Sequence, residues 1–443
     1  QLRKLKLGNK CNYEELSIFM YSGCANSSSQ TFFKDINNLL PGHSLNIHNN
    51  GEIKIKSWYQ IRNKIQLADA KFDTYEFKYH LKNAVNLRMR SDVKIGASLS
   101  GGLDSSSVIS LISEILEETN NNEIFSAIHA KSSDFLFDES RYAELACESL
   151  NFKLSKIEPS YQDFFNSLSN LIHFQDEPFA SSNIFMQFSV MQKAKNLGIK
   201  VMIGGQGSDE VLLGYERFFL VNLLAHYYKK GFKGLFDYFY FSLKNNKQFN
   251  IFSILKYIFG NYSGSLRAEF LRNRMHFLNL DIDPTQYLYK EVSKAKFNPL
   301  EAQFIELEKT SLPQILRVED RNSMAHSIES RLPFLDFNFV EYCLSLLVTE
   351  KVQNGWSKYP LRNSNILKKE IAWRKSKFGF DGFENEWDRK YSHNMLKKVK
   401  LSPLIKNISN INKLSKDWFK LSPKERWRIF NVCIWQEINN VDF

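Results

Sequence analysis

Between residues 90 and 210 the spacing of apolar positions switches back and forth between two and three-to-four. Val93, Ile95, Ala97 and Leu99 alternate, which predicts a strand, and Val108, Ile109, Leu111, Ile112, Ile115 and Leu116 follow at helical spacing. "EIFSAIHAKS" predicts a second strand, Ser140 to Leu150 a helix, "FKLSKIEP" a third strand, Asn183 to Asn196 a helix and "KVMIGG" a fourth strand. Strands separated by helices of this length imply βαβ units, a parallel sheet and right-handed crossovers. Upstream, Phe72, Tyr75, Phe77, Leu81, Val85 and Leu87 mark a helix between Asp69 and Arg90, and "GHSLNIHNNGEIKIKSWY" predicts a hairpin bent at Asn49, Asn50 and Gly51. After Glu210 no further strand is predicted, and apolar residues recur at helical spacing to the end.

The pattern therefore predicts an α/β protein with a parallel-sheet core over residues 90–210 and a helical part over 211–400, together one unit spanning 63–400. Residues 1–62 precede it as the remnant of another domain, and 401–443 follow as a helical tail. At 443 residues with 43% hydrophobic content the chain can bury such a core. The five cysteines, Cys11, Cys24, Cys147, Cys343 and Cys433, show no CxxC spacing, which predicts reduced thiols and neither disulfides nor a zinc site. No apolar run reaches the length of a membrane span, so a soluble, cytoplasmic protein is predicted.

The formal charge of +11 directs attention to anionic partners. Lysines and arginines are nevertheless spread along the chain with no nucleic-acid-reading motif, so a nucleic acid is not the expected partner. An aromatic and basic tract from Arg217 to Phe259 reads as helical packing, and is the surface expected to meet any large substrate.

"SLSGGLDSSSV", residues 98 to 108, lies between the first predicted strand and its helix. There the first helical N–H groups lack partners and the helix dipole adds partial positive charge, so an anion is the natural guest. GxxxxGK[ST] is absent, which excludes a nucleotide P-loop. Asp104 is the discriminating residue: a carboxylate among phosphate oxygens repels them unless Mg²⁺ lies between. The stretch thus predicts a pyrophosphate site with its metal.

"SGGLDSS" (Ser100 to Ser106) resembles the pyrophosphate-loop (PP-loop) signature of ATP pyrophosphatases, which cleave ATP between its α and β phosphates. "GGQGSDEVLLGY" (Gly204 to Tyr215), "DRNSMAHSIESRLPFLD" (Asp320 to Asp336), "NGWSKYPLR" (Asn354 to Arg362) and "WRKSKFGF" (Trp373 to Phe380) resemble the synthetase domain of the asparagine synthetase family. That family is related to β-lactam synthetases and lasso-peptide cyclases. "FKDINNLLPGHSLNIHNNGEIKIKSWY" (Phe33 to Tyr59) resembles the last strands of the glutaminase domain that precedes it. Such a glutaminase needs an N-terminal cysteine nucleophile, whereas this sequence opens with Gln1; the expectation is that the glutaminase domain is largely missing.

The resemblance implies that ATP and Mg²⁺ are the cofactors. Ser100, Gly101, Gly102, Asp104 and Ser105 would hold the pyrophosphate, Asp104 and Asp209 the metal, Leu99 and Ile128 the adenosine, and Gly204 and Gly205 the close backbone approach. Lys377, with Lys375 as its rival, would steady the oxyanion as the amine attacks. Gln206 departs from the family: asparagine-forming members carry a glutamate there, and glutamine takes no proton at neutral pH. Asp176 and Glu177 resemble a segment near the acyl pocket, whereas Asp320, Arg321, Glu329 and Arg331 read mainly as loop-fixing ion pairs and His326 as a packed helix residue.

The implied activity is an ATP-dependent amide ligase that activates a small-molecule or peptide carboxylate as an acyl-adenylate, then joins it to ammonia or another amine. The nitrogen would come from a separate glutaminase or a precursor peptide. An intramolecular cyclase of the same chemistry, favoured by Gln206, is the second reading, and a scaffold that has lost the reaction is the third.

Overall fold

The computed structural model describes residues 9–25, 28–120, 125–131, 138–148, 150, 152–245, 264–280, 295, 298–375 and 383–443. Its principal elements, in chain order, begin with α1 (Tyr13–Ser22), the hairpin β1 (His43–Ile47) and β2 (Ile53–Ser57), α2 (Thr74–Met89), β3 (Ile95–Ser98), α3 (Leu103–Glu118), β4 (Phe125–Ala130), α4 (Ser140–Cys147) and β5 (Phe152–Ile157). They continue with α5 (Tyr161–Gln175), α6 (Ile184–Asn196), β6 (Val201–Ile203), α7 (Phe219–Asn245), α8 (Pro299–Glu308), α9 (Ser311–Met324), β7 (Glu329–Arg331) and α10 (Pro423–Asn439).

All four strands predicted between residues 90 and 210 form, and they lie parallel in one sheet of order β5-β4-β3-β6-β7. The chain runs outward from β3 through β4 to β5, then returns to the other side of β3 for β6. Strand order reverses between β3 and β6, and the carboxyl edge at such a reversal is where open α/β sheets bind ligands.

One expectation is corrected. Strands do not stop at Glu210: β7 pairs in parallel with β6, matching Val201 to Glu329 and Ile203 to Arg331. A three-residue strand with only its middle residue free of charge has no apolar alternation to announce it; it forms because the open edge of β6 must find backbone partners. Asp320 and Arg321, expected in a loop, lie within α9. Arg331 pairs with Glu329 at 2.9 Å and donates to the carbonyls of Arg88 and Arg90, fixing the sheet edge to the end of α2.

The sheet is covered on both faces, which is why β4 is buried at every position. Phe125 and Ala127 enter one core with Ala97, Leu99 and Ile203 against α2 and α3. Ile128 and Ala130 face the opposite core with Met202, α5, α6 and α10. That second core also takes in Leu16, Phe19, Phe32 and Phe33 from the start of the chain. Backbone bonds join Cys11 to Asp442 and Asp442 to Asn9, so the two ends of the described chain are tied together. The β1–β2 hairpin, by contrast, leaves Ile47, Ile53 and Ile55 exposed. The five cysteines are unpaired.

Trp435 joins the two ends: its ring meets Phe32 and Phe33 at 5.8 and 5.5 Å, and its Nε1 donates to the Asp176 carbonyl at 2.8 Å. Trp435→Ala is expected to lower unfolding free energy by about 3–5 kcal/mol in urea titrations, and Trp435→Phe by visibly less.

Candidate functional site

β3 ends at Ser98, and after Leu99 the chain bends through Ser100, Gly101 and Gly102 into α3, whose amino end has no side-chain cap. Within the bend the Ser100 hydroxyl accepts from the Gly102 N–H at 3.1 Å, and Ser105 Oγ accepts from the Ser100 N–H at 3.2 Å. The loop after β6 leans directly on this helix start. A Cβ on Gly205 would lie 2.8 Å from the Ser105 nitrogen and 3.0 Å from the Asp104 carbonyl carbon, so only glycine lets the two loops touch.

That approach brings Asp104, in the first turn of α3, towards Asp209, in the short helix Ser208–Val211 that follows β6. Both reach the same cation. Lys358 Nζ lies 2.8 and 2.7 Å from the two Asp104 oxygens and 2.8 Å from Asp209 Oδ1. The lysine side chain is only 4% exposed and its backbone is left-handed (φ 53°), a strained conformation for a residue with a side chain. Two neighbouring carboxylates repel, and the shared ammonium offsets that repulsion. Room for the trio comes from Gly214, where a Cβ would lie 2.0 Å from Asp209 Oδ1 and 2.2 Å from Lys358 Cε.

Two arginines frame the cluster. Arg374 donates to the Gly101 carbonyl at 3.1 Å, pairs with Glu139 and stacks over the Tyr142 ring at 4.4 Å, so it holds the glycine bend from outside. Arg362 donates to the carbonyls of Ser357 and Ala372, tying the turn that carries Lys358 to the segment that carries Arg374. Behind Asp209 a buried relay runs from Lys351 Nζ to Gln303 Oε1 at 2.8 Å, and from Gln303 Nε2 to the carbonyls of Glu210 and Val211 at 3.1 and 2.8 Å. The Glu210 carboxyl, raised by burial, takes the Tyr215 hydroxyl at 2.6 Å.

The structure brings Ser100, Gly101, Gly102, Asp104, Ser105, Gly204, Gly205 and Asp209 together at the carboxyl edge of β3 and β6. Leu99 and Ile128 are both buried, in opposite cores, with their side chains packed against the helices that cover the sheet. The Lys375 ammonium donates to the Lys244 carbonyl at 3.3 Å, while its neighbour Arg374 turns to the Gly101 carbonyl. Lys377 lies outside the described residues. Gln206 is exposed in the turn after β6.

Asp176 and Glu177 pair with Arg321 and Arg317 at 3.0 and 3.3 Å, a charged seam between α5 and α9. His326 is buried against the Phe188 ring. Sequence reasoning missed Lys358, Arg362 and Arg374. They stand in quoted segments, but Lys358 lies 254 positions from Asp104, and no local pattern links them.

The profile of the family described as asparagine synthase matches residues 76–427. Asparagine synthetase [glutamine-hydrolyzing] 1 of Bacillus subtilis (strain 168) is 24% identical over 433 residues, covering 90% of this chain and 65% of its own. Amidase chyE of Penicillium rubens is 23% identical over 391 residues, covering 77% and 57% respectively. Asparagine synthetase [glutamine-hydrolyzing] 2 of B. subtilis is 24% identical over 410 residues, covering 87% and 50%. The chain thus spans from half to about two thirds of the length of these curated relatives. Among solved structures, NMN synthetase from Francisella tularensis overlaps 58% of this chain with a TM-score of 0.24 and 14% identity, too weak a likeness to argue from.

Gly214→Ala is expected to drive Asp209 and Lys358 apart; a crystal structure should show their contact lengthened, with the melting curve still cooperative. For Lys351, burial pushes the ammonium down from 10.5 to about 7, so between these values the unfolded chain binds the extra proton and stability rises with pH. Melts of wild type and Lys351→Met across that window should differ in slope, the wild type gaining more as pH rises and the difference levelling off below about 7.

Proposed function

Since the chain belongs to the asparagine synthase family, whose profile covers residues 76–427, we propose that it is an ATP-dependent, AMP-forming carbon–nitrogen ligase. The carrying observation is the convergence of Asp104 and Asp209 on one cation, at the mouth of the two strands where the sheet order reverses. A carboxylate oxygen of the substrate attacks the α-phosphorus of ATP, the bond to the bridging oxygen breaks, and pyrophosphate leaves. The amine then attacks the acyl carbon, AMP leaves, and the amine loses a proton.

The residues present fit both ATP and Mg²⁺. No group of three His, Cys, Asp or Glu that could hold a metal occurs among the described residues, so Asp104 and Asp209 would supply two ligands, with substrate phosphate and water completing the set, the usual pattern for this ion. When bound, Mg²⁺ supplies charge neutralisation of the departing phosphates. The uncapped end of α3, with Ser100 and Ser105, offers N–H and hydroxyl donors to the same phosphates. Lys358 then donates to a phosphate oxygen while still anchored beside the acids. Arg374 keeps the Gly101 bend open from its outer side.

A second reading, the intramolecular cyclase, draws on Gln206, which has no basic group to deprotonate ammonia and is exposed at the turn. In it the amine belongs to the activated molecule itself. Formation of asparagine and AMP from aspartate, ATP and ammonium would eliminate this reading.

With a pool of amino acids and peptides as acyl donors, carboxylate-dependent exchange of pyrophosphate into ATP is expected. Asp104→Asn should lower it at least about a hundredfold with the melting curve unchanged. Exchange at the wild-type rate in that variant would refute the metal role of the aspartate.

A further inference from the structure

The second half of helix α7 carries an exposed aromatic ridge. The helix breaks at Gly231 (φ 60°), and from there to Asn245 the residues turned inward are Gly234, Tyr238 and Ser242. The residues turned outward are Phe232, Phe236, Tyr240 and Leu243, at 79, 66, 50 and 42% exposure. At about 100° per residue the outward set fills an arc of roughly 80°, facing about 160° away from the inward one. Phe236 and Tyr240 stack nearly parallel, 6.3 Å apart, so the ridge is a continuous aromatic surface. Lys230, Lys233 and Lys244 are exposed along the same helix, Lys229 is held by Glu350 and Thr349, and Asp237 is the one acid between Phe219 and Asn245.

We propose that this ridge docks the protein on the surface of an anionic lipid bilayer. Aromatic rings at a helix surface with lysines beside them match the interfacial region of such a bilayer, where rings enter the acyl boundary and ammonium groups meet phosphate. The fit is to a surface and not a span, since no helix among the described residues is long and apolar enough to cross a membrane. A convex single-helix ridge offers no groove for a peptide. A second copy set ridge to ridge would bring lysine against lysine with only Asp237 to offset them.

Docking would take place next to the candidate site. Asn245 Nδ2 donates to the Asn354 carbonyl at 2.9 Å, and a Cβ on Gly355 would come within 2.4 Å of the Phe241 and Ser242 backbone. The inner side of α7 therefore shoulders the loop that leads into Lys358. The docking itself does not depend on which reaction that site performs.

Flotation of the full chain with vesicles of phosphatidylcholine, and with vesicles that also contain phosphatidylglycerol, tests the proposal. Wild type should float with the anionic vesicles alone and be released by high salt. The variant Phe232→Ser/Phe236→Ser/Tyr240→Ser should stay in the lower fractions. Lys230→Glu/Lys233→Glu/Lys244→Glu should do the same, with partitioning reduced about fivefold or more per lysine. Both variants should melt like wild type. Absence of flotation, equal flotation with uncharged vesicles, or flotation undiminished in both variants would overturn the proposal. So would a concentration-dependent dimer in light scattering that the aromatic variant abolishes while wild type fails to float.

Discussion

Two carboxylates at the edge of a sheet repel each other, and their partial burial worsens the repulsion, so a cation within reach of both Asp104 and Asp209 is what lets both stay ionised. Here that cation is Lys358, at 2.7–2.8 Å from each. Much of the surrounding structure follows from the requirement. Glycine at 205 lets the two loops meet, glycine at 214 leaves space for the lysine stem, and Lys358 accepts a left-handed backbone to aim its side chain inward.

Support for the pair comes from distant parts of the chain. Lys351 and Gln303 brace the backbone behind Asp209 through buried hydrogen bonds, and Arg374 braces the bend in front of Asp104. Buried polar groups of this kind must be satisfied, so each network also fixes the relative positions of the helices that contribute to it. The same helical layer presents a different face outward. The second half of α7 turns Gly234, Tyr238 and Ser242 towards the body and leaves Phe232, Phe236 and Tyr240 exposed, rings that the packing of the chain alone does not call for.

The sheet was legible because period-two and period-3.6 apolar spacing are enforced by burial on both its faces: Phe125 and Ala127 go to one core, Ile128 and Ala130 to the other. β7 was not legible, since Glu329, Ser330 and Arg331 pair through backbone groups that any side chains would allow. The burial of Leu99 and Ile128 in opposite cores was not legible for a related reason. An apolar strand residue next to a loop has the same local pattern whether it lines a crevice or closes a core.

The sequence by itself determined the glycine and serine bend at the end of a strand, the aspartate in the first turn of the following helix, and the second aspartate after a later strand. Each is a local feature, set by turn chemistry and by the unpartnered N–H groups of a helix start. Only the tertiary structure decided that the two acids meet, that Lys358 joins them from 254 positions away, and that Arg374 faces inward while Lys375 faces Lys244. Those outcomes depend on strand order and on which glycines permit close approach, quantities that appear only when the sheet has assembled.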